Sequence, residues 1–155
     1  MSLRTLLVAA ALVLAIAAYL DPQGSGSKGP YPADPVRTPG VVNPDVTQQD
    51  IATTVCRHGW TRTIRPPTSY TNELKLQQMR AYGASGSPEQ YQEDHLISLE
   101  LGGHPTDARN LWPEPYPRAA EMDSIENDLN AKVCSGAMSL DAAQRKESEI
   151  KHTDG

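Results

Sequence analysis

The chain has 155 residues, a formal net charge of −5 and two cysteines. This acidic balance argues against an extended nucleic-acid-binding surface, because affinity for phosphates normally requires a basic face. It does not exclude an enzyme that binds phosphates through a small basic patch. Basic residues do gather over a short stretch, at Arg57, Arg62, Arg65, Lys75 and Arg80.

The N-terminal segment is predicted to direct export. Residues 5–20 carry no charge, follow Arg4 and contain the small residues Ala15 and Ala17. A basic start, a short apolar run and small residues are typical of a secretory signal peptide, and an uncleaved membrane anchor is the alternative. Either interpretation places the rest of the chain outside the cytoplasm, secreted, periplasmic or attached to the membrane through residues 1–20 alone.

A linker and one folded domain are predicted to follow. Residues 21–43 are rich in Gly, Ser and Pro and show no apolar periodicity, which is typical of a disordered segment. The folded domain is therefore expected over residues 44–155. Its only cysteines are Cys56 and Cys134. In an exported chain this pair predicts one disulfide, with two buried free thiols as the alternative.

The first half of the domain is predicted to contain two helices and a strand. Thr47 can cap a helix that reaches Cys56. Residues 60–65 alternate large and polar side chains and predict a short strand. Thr71 can cap a second helix over residues 72–82. Trp60, like Trp112 further on, is expected to be a core residue.

The second half is predicted to form a ββα unit and a final helix. Residues 95–101 are expected to be a strand, Gly102-Gly103 a turn, and residues 110–112 the return strand, which the following prolines end. Apolar side chains at helical spacing predict a helix over residues 118–133, and a last helix is expected over residues 139–150. The fold class is therefore α+β.

Three short motifs converge on this ββα unit. They are Glu93-Asp94-His95-Leu96, the Gly102-Gly103 turn, and Asn110-Leu111. An Asp-His pair answered by an Asn can bring a carboxylate and a neutral imidazole together. The pattern closely resembles the ββα-metal fold of HNH endonucleases, and in particular exported bacterial proteins with an HNH-like core and no assigned function.

The resemblance implies a role for each motif residue. His95 would be the general base that deprotonates a water molecule. Asp94 would be a ligand for a divalent metal ion, Mg²⁺ or Mn²⁺. Asn110 would brace the loop and orient the histidine. The implied substrate is nucleic acid, DNA first and RNA as the alternative, and no protein partner is implied.

The chain departs from the family pattern at the second metal ligand. No histidine occurs between His104 and His152, so the expected His or Asn on the helix has no direct counterpart. Asp123 is the preferred substitute, and Asn127, four residues later, is the reserve. Glu114 either serves the site or belongs to a rigid exit from the strand.

Two other functions compete with a metal-dependent nuclease. The acidic charge and the missing ligand suit a catalytically degenerate HNH-like module that binds or supports components of the envelope. The Asp94-His95 pair could also belong to a structural hydrogen-bond network.

Overall fold

The computed structural model describes residues 32–154. The predicted leader, residues 1–20, and residues 21–31 of the predicted linker lie outside this part of the chain. Within residues 32–154, no helix is long and apolar enough to cross a membrane.

Helices surround a small two-stranded sheet, and the α+β class is confirmed at this level. Helix α3 packs against both strands and against the last helix. In chain order the helices and strands are α1 (Trp60–Ile64), α2 (Thr68–Tyr82), β1 (Tyr91–His95), β2 (Leu111–Pro115), α3 (Arg118–Cys134) and α4 (Leu140–Thr153).

The two strands form an antiparallel hairpin in which Asp94 lies opposite Trp112. The strand predicted over residues 95–101 is wrong, because β1 ends at His95 and Leu99–Leu101 form one turn of 3₁₀ helix. Both leucines of that turn are buried. A short run of buried apolar residues does not distinguish a strand from a buried turn, which is why the prediction failed.

Prolines lie inside β2 instead of ending it. Pro113 is opposite Glu93 in the hairpin. The backbone hydrogen bond from Leu96 N to Asn110 O places the even-numbered positions of β2 in hydrogen-bonded pairs. The nitrogens of Pro113 and Pro115 therefore point away from β1, where a missing N–H leaves no gap in the ladder.

The first two predicted elements of the domain are wrong. Within residues 60–65, Trp60–Ile64 form the helix α1, which begins after Gly59 in the left-handed conformation (φ 79°) and ends before the two prolines. The helix predicted over residues 47–56 is a series of turns. There the hydroxyls of Thr53 and Thr54 donate to the carbonyl of Asp50 at 3.1 and 2.7 Å. Such side-chain bonds compete with regular helical hydrogen bonding.

The three longer helices were predicted correctly within a few residues. Helix α2 begins at Thr68, earlier than expected, and ends at Tyr82, with Gly83 as its C-cap. In α3 the predicted apolar positions Met122, Leu129 and Val133 are buried. Ser139 caps α4, since its side chain accepts a hydrogen bond from Ala142 N at 3.2 Å.

The folded unit begins before residue 44, which corrects the predicted linker boundary. Ala33 and Thr38 are each 1% exposed, and Ala33 N donates to Lys151 O at 2.9 Å. Val42 forms a β-bridge with Gly103. Hydrogen bonds to the rest of the domain thus order residues 32–43, although their composition alone would not bury enough apolar surface.

The predicted disulfide is confirmed between Cys56 and Cys134, whose Cα atoms are 5.5 Å apart. It joins the turns before α1 to the end of α3. Trp60 and Trp112 are both buried, as expected for core residues.

Candidate functional site

Asn110 braces the connection between the two strands. Its Nδ2 donates to Ile97 O at 3.0 Å and to His104 O at 3.1 Å. Its Oδ1 accepts from Ile97 N at 3.1 Å and from Val41 N at 3.2 Å. The side chain is fully buried, so all its bonds are made within the protein. These four bonds tie Val41, Ile97 and His104 together around one side chain.

Gly103 allows this connection to close tightly. A Cβ atom built on Gly103 would lie 1.7 Å from Ile97 O and 2.8 Å from Asn110 Nδ2. Any side chain at this position would therefore displace the loop or the asparagine.

His95 is held in one tautomer by the braced loop. Its Nε2 lies 3.0 Å from the carbonyl oxygen of Pro105. Because a carbonyl can only accept, Nε2 carries the hydrogen, and Nδ1 of the neutral ring keeps its lone pair. Burial lowers the pKa of His95, despite the opposing effect of the Asp94 carboxylate. The ring is therefore neutral at pH 7, as a general base must be.

Asp94 points to the side chain of Lys151 in α4. The ammonium of Lys151 lies 2.7 Å from Asp94 Oδ2, 2.6 Å from Glu126 Oε1 and 2.6 Å from the carbonyl oxygen of His95. An ammonium has three hydrogens, and here each has an acceptor. Lys151 is fully buried, and a further carboxylate, Glu147 Oε1, lies 3.4 Å from its nitrogen.

The buried acids around Lys151 differ in their charge. Burial opposes ionisation of Asp94, but the charge of Lys151 lowers the pKa of this carboxyl to about 2. Burial raises the pKa of Glu126 to about 9 and that of Glu114 to about 9. Burial likewise raises the pKa of Glu147 to about 7. At neutral pH the cluster therefore holds one ammonium, one ionised aspartate, protonated Glu126 and Glu114, and Glu147 close to the midpoint of its titration.

The structure does not bring Asp123 or Asn127 to Asp94. Both are exposed on α3, and Asn127 Nδ2 donates to the carbonyl of Asp123 at 2.6 Å. Successive residues of a helix are turned by about 100°, so that Glu126, between them in sequence, faces the buried side. The α3 residue that meets Asp94 through Lys151 is thus Glu126.

A divalent metal ion bound by Asp94 does not fit this arrangement of side chains. The two carboxylate oxygens that face each other across the cluster, from Asp94 and Glu126, already share the ammonium of Lys151. No group of three His, Cys, Asp or Glu side chains within residues 32–154 is arranged to hold a metal ion.

Glu93 was not predicted as a site residue but lies beside His95. Residues two apart in a strand share a face, so Glu93 and His95 are on the same face of β1. Both carboxylate oxygens of Glu93 are buried without a hydrogen-bond partner among the described residues. Burial raises the pKa of Glu93 to about 8, with the charge of Lys75 opposing the shift.

The charge of one basic side chain acts on His95. Arg65, just after α1, is exposed, and its charge contributes to lowering the pKa of His95, after burial as the main cause. The other histidine of this region, His104, has a structural role, because its Nδ1 accepts hydrogen bonds from Thr106 N at 3.2 Å and Asp107 N at 2.9 Å.

The sequence contains a signal for the buried charges that the prediction missed. In α4 the buried residues are Leu140, Ala143, Glu147 and Lys151, which follow one helical stripe. Glu126 occupies the corresponding stripe of α3, between Met122 and Leu129. Charged residues at core positions of two helices indicate a buried ion pair.

No protein-family model, curated protein or solved structure matches this chain.

Proposed function

We propose that the domain is an HNH-type nuclease that hydrolyses phosphodiester bonds in DNA, with RNA as the alternative substrate. The observation that carries the proposal is the bond between His95 Nε2 and Pro105 O, which leaves Nδ1 free to accept a proton. The order of the β1–β2 hairpin and α3 agrees with a ββα unit, and Asn110 braces the loop between the strands, which supports the same reading.

The proposed reaction uses His95 at the end of β1 and Arg65 just after α1. His95 Nδ1 takes a proton from water, the water oxygen attacks the phosphorus, and the P–O bond to the leaving oxygen breaks. The leaving oxygen takes its proton from solvent water, because both oxygens of Glu93, the neighbouring acid on this strand, are buried. Arg65 is the exposed guanidinium available to bind the phosphate.

A nicking assay on the purified full chain tests this proposal. Supercoiled plasmid should be converted to the open circle, and single-stranded RNA tests the alternative substrate. His95→Ala should lower the rate by roughly 10²–10⁴-fold, the usual range for loss of a general base. The matched control is His58→Ala, because His58 is exposed. Equal rates for His95→Ala and the unmodified protein would contradict the assignment.

A second candidate, a catalytically inactive HNH-like binding module, is favoured by the saturated hydrogen bonding of Lys151. The ammonium has no hydrogen left for a phosphate, and Asp94 is itself only 9% exposed. This candidate predicts that the folded protein leaves both plasmid and RNA intact, with or without Mn²⁺.

A further inference from the structure

The ammonium of Lys151 lies between strand β1 and helix α3 of the ββα unit. Its ammonium contacts Asp94 and the backbone of His95 in β1 on one side and Glu126 in α3 on the other. In a metal-dependent site of this kind, a cation bound by the strand and the helix would lie between the same two elements. Here the cation between them is the ammonium of Lys151, a residue of α4.

The spacing of the oxygens suits an ammonium. The three shortest N···O distances are 2.6, 2.6 and 2.7 Å, at or just below the range of about 2.7–2.9 Å for charge-assisted hydrogen bonds of an ammonium. Ligand oxygens around Mg²⁺ lie closer, at about 2.0–2.1 Å from the ion. The cage is thus wider than the one that Mg²⁺ requires.

The positive charge of Lys151 also compensates the negative charge of the cluster. Lys151 supplies one positive charge within hydrogen-bond distance of two acid side chains, Asp94 and Glu126. A divalent ion at the same oxygens would meet the ammonium at short range, and two cations repel each other strongly where water is excluded.

We infer that Lys151 is the resident cation of this site and replaces the divalent metal ion of a metal-dependent nuclease. Lys151 is a positioning residue. Its hydrogen bonds to Asp94 Oδ2 and to the carbonyl oxygen of His95 fix the end of β1, and this end carries the imidazole. The catalytic part of this inference rests on the proposed function, whereas the replacement of the metal does not.

Metal binding tests the replacement directly. The full chain is freed of metals with EDTA and titrated with Mn²⁺, and bound Mn²⁺ is measured by electron paramagnetic resonance and calorimetry. The unmodified protein should bind no Mn²⁺ at Asp94, and its melting temperature should be the same in EDTA and in Mn²⁺. Stoichiometric Mn²⁺ binding that Asp94→Asn abolishes would overturn the inference.

Removing the ammonium should create a metal site. Lys151→Ala leaves Asp94 and Glu126 facing an open space, so this variant should gain Mn²⁺ binding and a rise in melting temperature with Mn²⁺. The double variant Lys151→Ala with Asp94→Asn should lose both. Lys146→Ala, which removes an exposed lysine of the same helix, should behave like the unmodified protein. If Lys151→Ala folds and binds no Mn²⁺, the inference is overturned.

Lys151→Met keeps the length of the side chain without its charge and covers the case in which the alanine variant does not fold. A folded methionine variant should show a lower kcat with an unchanged KM, because the position of His95 changes and the phosphate contact does not. A parallel change in the NMR signal of the His95 Nε2–H would accompany it. An unchanged kcat and an unchanged signal would overturn the positioning role. An inactive unmodified protein that still excludes Mn²⁺ would contradict the nuclease proposal alone.

Discussion

At the scale of single residues, the amide of Asn110 carries the geometry of the site. It makes four hydrogen bonds to backbone groups from three separate stretches of chain. A substitution leaves several buried polar groups without partners, which costs about 1 kcal/mol or more for each.

We therefore expect Asn110→Ala to lower the free energy of unfolding by about 3 kcal/mol or more. Urea denaturation measures this change. The matched control is Asn127→Ala on the exposed face of α3, which should alter the free energy of unfolding by no more than about 0.5 kcal/mol. Equal effects of the two substitutions would contradict the bracing role of Asn110.

Buried acids make the stability depend on pH in an unusual direction. Burial raises the pKa of Glu93 to about 8 and the pKa of both Glu114 and Glu126 to about 9. Between their ordinary value near 4.5 and these raised values, the folded protein binds more protons than the unfolded chain. Stability is therefore greatest at the acidic end of this window and falls as the pH rises. The lowered pKa of His95 has the opposite effect below about pH 6.5, where the three glutamates outweigh the single histidine, and Asp94, with its pKa lowered to about 2, has the opposite effect below about pH 4.

Urea denaturation in EDTA between pH 5 and pH 9 should show a steady loss of stability with rising pH. Each extra proton held by the folded state contributes roughly 1.4 kcal/mol per pH unit to the slope. Glu114→Gln keeps a neutral side chain of the same shape and should reduce the slope, whereas Glu149→Gln, at an exposed position, should leave it unchanged. A stability that rises across this range would be incompatible with buried neutral glutamates.

At the scale of helices and strands, long elements could be predicted from the sequence and short ones could not. Helices α3 and α4 repeat their apolar stripe over several turns, so their limits followed from the sequence within a few residues. Helix α1 has five residues, too few for its alternation of Trp60, Arg62 and Ile64 to separate a strand from a helix. The hairpin was predicted, but its first strand was placed too late because the apolar run after His95 looked extended.

The same contrast holds for the site. Asp94, His95 and Asn110 belong to one local motif, and the hairpin brings them together. Lys151 lies in contact with Asp94 although 57 positions separate them in the sequence, and only tertiary packing makes that contact. The carboxylate of Asp123 has the right chemistry for a metal ligand, but the apolar stripe of α3 places it on the exposed face of that helix.

At the scale of the whole molecule, the segment over residues 32–43 is part of the site's support. The hydroxyl of Thr38 lies 2.6 Å from that of Tyr82 in α2, and His152 Nε2 in α4 lies 2.8 Å from Thr38 O. The segment thereby connects α2 to α4 and contacts the braced loop through Val41.

Truncation of the chain tests whether residues 32–43 belong to the folded domain or to the linker. A protein that begins at residue 44 loses these contacts and should melt at a markedly lower temperature than one that begins at residue 32. The two proteins should melt alike if residues 32–43 were a linker, and differential scanning calorimetry distinguishes the two cases. Thr38→Val, which removes one buried hydroxyl, should give a smaller loss of about 1–2 kcal/mol.

The disulfide should contribute substantially to the stability of the whole domain. It joins cysteines 78 positions apart, and closing a loop of this length is worth roughly 4 kcal/mol in the chain-entropy model. Replacing both Cys56 and Cys134 by serine should lower the free energy of unfolding by about that amount in urea denaturation. A reducing agent should have the same effect on the unmodified protein and none on the double variant.

The same cross-link divides the molecule into a covalent ring and two arms. Residues 56–134 form the ring, which contains Asp94, His95 and Asn110, while Lys151 stands on the C-terminal arm. A protease that cuts within the ring leaves a single covalent molecule under non-reducing conditions. A cut between residues 135 and 139 instead leaves the lysine attached only through packing and hydrogen bonds. After such a cut, the pairing of Lys151 with Asp94 and Glu126 would depend on the packing of Leu140 and Ala143, from the same arm, into the core.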